Sequence, residues 1–81
     1  MRKLFEIVPR RGAWDVLHNH VGYRLCPNKR DAIRLALRLG RMQLRLGDEA
    51  QIVLRDDQGE ALASRHYPVQ RRSFADPSPM N

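Results

Sequence analysis

A single cysteine, Cys26, is all the thiol chemistry this 81-residue sequence holds. It excludes an internal disulfide and fits a reducing compartment. Long apolar runs are missing too. No stretch approaches the 18 or so apolar residues of a membrane span, so no membrane contact is expected. The opening Met-Arg-Lys is basic, but Glu6 and Pro9 interrupt what would be the apolar run of a signal peptide. The cytoplasm is therefore the expected location. Catalytic signatures are absent as well: there is no G-x-S-x-G, no P-loop and no G-x-G-x-x-G. Paired carboxylates occur only as Asp48-Glu49 and Asp56-Asp57, both accounted for by links between elements. No enzyme activity and no cofactor are expected. Lysine is scarce, with only 2 among 15 basic residues. The rest are arginines, the better partners for bidentate phosphate or carboxylate contacts.

What is present begins with charge and one long amphipathic stretch. The formal net charge is +6. That balance favours anionic partners and says nothing about fold. Residues 28–46 read as a helix with both ends marked. Asn28 is a good N-cap, Pro27 precedes it, and Asp31 suits the first turn. Gly47 stands where a left-handed cap is wanted. Gly40 costs about 1 kcal/mol against Ala in a helix interior, so close packing against another backbone is expected there.

At about 100° per residue the helix divides into three strips. Ile33, Ala36, Leu37, Gly40 and Leu44 make the strip expected to face the core. Leu35, Leu39, Met42 and Leu46 make a second apolar strip. Arg30, Arg34, Arg38, Arg41 and Arg45 make the third. The apolar arc is about 220° wide, more than one sheet easily covers. The second strip is therefore expected to be a self-association surface in a homodimer.

Strands are expected around the helix. Residues 4–8 are rich in β-branched and aromatic side chains, and Pro9 ends them or marks an edge. A turn at Arg10-Arg11-Gly12 leads to an alternating stretch, 13–18, with Trp14 as the expected core anchor. Residues 19–27 are less regular. They hold a bend at Gly22 and a short extended piece, Tyr23-Arg24-Leu25. After the helix, 51–55 and 60–67 flank the turn Asp56-Asp57-Gln58-Gly59. The expected fold is α+β: a two-layer ββαββ domain, an antiparallel sheet with one long helix on one face. The domain spans 1–67. Residues 68–81, with three prolines and two serines, are expected to form a disordered or loosely attached tail.

The run Ile7-Val8-Pro9, Gly12-Ala13-Trp14-Asp15-Val16, Lys29 to Ala36 (KRDAIRLA), Ile52-Val53-Leu54, Asp57-Gln58-Gly59 and Arg65-His66-Tyr67 resembles the small bacterial family DUF 2188, a domain of unknown function. The resemblance covers about 3–67. It implies a ββαββ-type fold and no activity. The apolar strip through Leu46 and the tail depart from the family pattern.

Three constellations bear on function. His18, His20, Cys26 and His66 are the only zinc-type ligands, but no C-x-x-C or H-x-x-x-H spacing joins them, and ordinary edge-strand histidines explain them. Cys26 with a nearby His could form a nucleophilic dyad; a half-buried residue at a loop-to-helix junction explains it as well. The arginine strip is the strongest. Its i, i+4 like-charge pairs each cost about 0.2–0.5 kcal/mol, and only Asp31 offers a counter-charge within the helix. A phosphate backbone would relieve it, as would acids brought by the fold, by a second subunit or by solvent. The reading favoured by the sequence is a homodimeric, non-enzymatic protein-interaction domain. The alternative is weak, sequence-nonspecific nucleic-acid binding through the arginine face.

Overall fold

The computed structural model describes residues 2–68. The chain forms β1 (Arg2–Arg10), β2 (Ala13–His18), β3 (Val21–Cys26), α1 (Lys29–Arg45), β4 (Glu49–Arg55) and β5 (Ala61–Tyr67). The five strands make one sheet in the order β3-β2-β1-β4-β5. The fold is α+β, with the helix packed on one face of the sheet.

Two details of the expected ββαββ layout need correction. The piece 21–26 is a full strand, so the order is βββαββ. The sheet is mixed rather than antiparallel, because β1 pairs with β4 in parallel. The second point follows from the first. With β3 in place, the chain enters the helix at the Cys26 end of the sheet. Seventeen helical residues, about 25 Å at 1.5 Å each, then carry it back to the end where β1 begins. β4 therefore starts beside Arg2 and runs alongside β1.

The first turn was legible. Arg11 and Gly12 both have positive φ, 46° and 80°, as a two-residue hairpin of the primed type requires. The second turn carries no glycine. Asn19 and His20 take φ of 51° and 71°. Asn tolerates that region, and its side chain is employed: Asn19 Oδ1 accepts from Leu4 N at 2.9 Å, while Asn19 N donates to Leu4 O at 2.7 Å. The turn is thus tied to the central strand.

The helix begins as expected. Asn28 Oδ1 accepts from Asp31 N at 2.8 Å, and Asn28 Nδ2 donates to Asp31 Oδ2 at 3.3 Å. Gly47 closes the other end at φ 88°. The helix face that meets the sheet differs from the expected one. Ala32, Ala36, Leu39 and Gly40 are its buried residues. Ile33 and Leu37 on one side and Leu35 on the other are half-buried flanks. The two apolar strips are two shoulders of a single face, with small residues along its crest. Leu39, assigned to a self-association surface, is 8% exposed and belongs to the core.

The large side chains buried completely are Phe5, Ile7 and Val16. Trp14 packs at the edge of this core on the helix side, half-buried, with Lys29 Nζ 5.7 Å from its ring centre. Gly40 approaches side chains and not backbone: a methyl group there would lie 2.9 Å from Ile52 Cδ1 and 3.0 Å from Tyr67 Cε2.

Candidate nucleic-acid interface

The buried crest of α1 centres near Ala36, and the five arginines lie about 180° round from it. Arg30, Arg34, Arg38, Arg41 and Arg45 are all exposed. Among the described residues none of them pairs with a carboxylate. Asp31, the one acid on the helix, is occupied by the Asn28 cap.

The other face of the sheet has the opposite character. Strand alternation points Glu6, Asp15, Glu49 and Arg55 away from the helix, and there acids and bases meet. Glu6 is 5% exposed and accepts from Arg55 Nε at 2.8 Å. His20 Nδ1 lies 2.9 Å from the second oxygen of Glu6, outside hydrogen-bonding geometry. Arg10 Nε is 3.1 Å from Asp15 Oδ2, and Arg2 Nη2 is 3.7 Å from Glu49 Oε2. His66 Nε2 and Glu49 Oε2 form a close hydrogen bond. That bond outweighs the opposing effect of burial and, with Arg2 adding a smaller attraction, holds the Glu49 carboxyl below its ordinary pKa. Arg10 and Arg55 are thus spent on the helix-free face.

Two basic residues extend the helix strip sideways. Arg24 on β3 lines a groove of about 330 Å³ with Arg34, Arg38, Leu35, Cys26 and the capping Asp31. On the opposite flank Arg65 lines a smaller groove of about 130 Å³ with Ile33 and Leu37. Its guanidinium carbon lies 5.1 Å from the Tyr67 ring centre. The basic surface therefore spans helix and sheet, from β3 to β5. Sequence reasoning offers Arg65 as a possible extension of the strip and misses Arg24. Strand parity could have found Arg24 had β3 been recognised.

The proposed self-association residues separate. Leu39 is buried, Leu35 is half-buried, and Met42 and Leu46 are 46% and 69% exposed. The metal-type residues also stay apart. His18 faces the helix side, stacked on Phe5 with ring centres 4.8 Å apart. His20 is across the turn at Glu6, His66 is on β5, and Cys26 is buried at the end of β3. Among the described residues no three His, Cys, Asp or Glu could hold a metal ion. No described helix is long and apolar enough to cross a membrane. Comparison with protein-family models, curated proteins and solved structures finds no match, and the resemblance to DUF 2188 stands on its motifs alone.

Proposed function

We propose that the chain is a small, non-enzymatic module that binds the phosphate backbone of nucleic acid, without sequence preference, through the outer face of α1. One observation carries this reading. The arginines of the helix-free face are matched to carboxylates, whereas the five on the helix have none among the described residues. Like charges at i, i+4 make the strip mildly unfavourable in isolation. Arg30, Arg34, Arg38, Arg41 and Arg45 present their guanidinium groups along about 22 Å of helix, a length that spans several phosphates. Arg24 and Arg65 widen the surface to either side. Contacts to phosphate oxygens carry no base information by themselves, hence the absence of sequence preference.

Salt titration of binding to mixed-sequence duplex DNA and RNA tests the reading. With about four phosphates engaged, a fourfold rise in salt weakens binding about a hundredfold. Arg34→Glu with Arg38→Glu abolishes retention at low salt. Absence of binding by the native chain at low salt overturns the proposal.

A further inference from the structure

The outer edge of β3 is apolar and exposed: Val21, Tyr23 and Leu25 are 68%, 51% and 57% exposed, and no described strand pairs with that edge. Its only charged residue is Arg24. Natural edge strands are blunted by charge, proline or brevity. The opposite edge, β5, follows that rule, with Arg65 and His66 on it and Pro68 directly after it. β3 does not.

We propose that β3 is the dimer contact of this protein, pairing antiparallel with β3 of a second copy about a two-fold axis perpendicular to the sheet. The strand is complementary to itself. Its register on β2 shifts at Tyr23, so Val21 and Cys26 share the helix face, opposite His18 and Trp14. Gly22 and Leu25 share the other face, opposite Leu17 and Asp15. When all six residues overlap, Val21 meets Cys26 of the second copy and Gly22 meets Leu25. Each of these pairs lies on one face, as side chains across a ladder must. A methyl group at Gly22 would have only Asp15 and Leu17 near it, both at 4.0 Å, so the glycine leaves open space for the opposing Leu25. Tyr23 meets Arg24, twice, and Arg24 never meets its own image, which would be unfavourable.

The chain's own remaining segment suits this edge poorly. Residues 69–81 follow β5, four strand spacings from β3, about 19 Å away. Only eight residues precede Pro77. A crossing of that length would take about six residues, leaving too few before Pro77 to pair with a six-residue strand, and Pro77 and Pro79 cannot donate to a ladder.

The two-fold axis sets both helices on the same side of a continuous ten-stranded sheet. The two grooves holding Arg24, Arg34 and Arg38 then face each other across the axis as one basic trough. This geometry rests on the β3 edge and is independent of whether the arginines bind nucleic acid.

Sedimentation equilibrium of the full 81-residue chain tests it. The native chain is expected at twice its 9.4 kDa mass. Tyr23→Lys with Leu25→Lys is expected to be monomeric with an unchanged far-ultraviolet spectrum, while Met42→Lys with Leu46→Lys remains dimeric. Should the strand variant unfold, hydrogen exchange of the native chain decides: β3 amides gain protection as protein concentration rises. A native monomer at 100 μM (on the order of the weakest useful dimer constant), a dimer that survives the folded strand variant, or β3 exchange indifferent to concentration overturns the proposal. Loss of nucleic-acid binding alone, with the dimer intact, would count against the arginine reading and not against this one.

Discussion

The Tyr67 ring lies against the α-carbon side of Gly40: a methyl group added at Gly40 would come within 3.0 Å of Tyr67 Cε2 and 3.1 Å of Cδ2. Ile52 Cδ1 would be closer still, at 2.9 Å. The glycine costs the helix about 1 kcal/mol, and the close packing offsets it. Gly40→Ala is therefore expected to destabilise the fold despite its better helix propensity. Overpacking of this kind costs about 1–3 kcal/mol. Truncating Tyr67 to Ala first should remove part of the penalty, so the two changes combined should cost less than their sum. Urea unfolding of the four variants in the cycle measures this.

The arginine strip makes an opposite pair of forecasts for one variant. Arg34→Glu with Arg38→Glu makes the contacts of position 34 with Arg30 and of position 38 with Arg41 attractive, leaves 34 and 38 a like pair, and turns the contact of Asp31 with position 34 repulsive, a net gain of one contact. Each altered i, i+4 or i, i+3 contact is worth about 0.2–0.5 kcal/mol. Thermal unfolding at low salt should show the variant at least as stable as the native chain. Its affinity for polyanions should be lost. A fall in both together would mean that the substitutions act by disturbing the helix.

Glu49 supplies a pH signature. Its carboxyl is held below the ordinary value chiefly by the hydrogen bond to His66. A depressed folded-state pKa contributes stability above the unfolded carboxylate pKa, near 4, and that contribution is lost as pH falls through the lower folded value. Glu49→Gln should lower the melting temperature slightly at neutral pH. The gap to the native chain should close in acid, below the ordinary carboxylate range. Melting curves from pH 7 to pH 2 decide, and a gap that persists at pH 2 would point to packing as its cause.

Much of this was open to reading from residues alone, and the exceptions have physical causes. The helix ends were legible because Asn28, Asp31 and Gly47 each have a specific chemical task. β3 was not, because its entry turn uses Asn19 and His20 in the left-handed region, where glycine is the usual signal. Missing that strand hid the parallel pairing of β1 with β4, and it hid Arg24 beside the helix arginines. The helix strips were placed correctly relative to one another and divided wrongly. Large side chains drew attention to the shoulders, whereas Ala32, Ala36 and Gly40 let the helix settle between them. The segregation of paired from unpaired arginines could not be read at all, since Glu6 and Arg55 are 49 residues apart in sequence.

That Glu6–Arg55 contact has a consequence for how the sheet assembles. β1 and β4 form its one parallel junction, and no hairpin fixes their alignment. Hydrophobic residues alone would tolerate sliding by two positions, because Phe5, Ile7, Ile52 and Leu54 would still point toward the helix. A carboxylate 5% exposed tolerates no such slide. Moved away from Arg55, Glu6 would lose the charged hydrogen bond that offsets its burial, at a cost of several kcal/mol. The pair thus acts as an indexing pin: it selects one alignment of two distant strands from several that greasy contacts would accept.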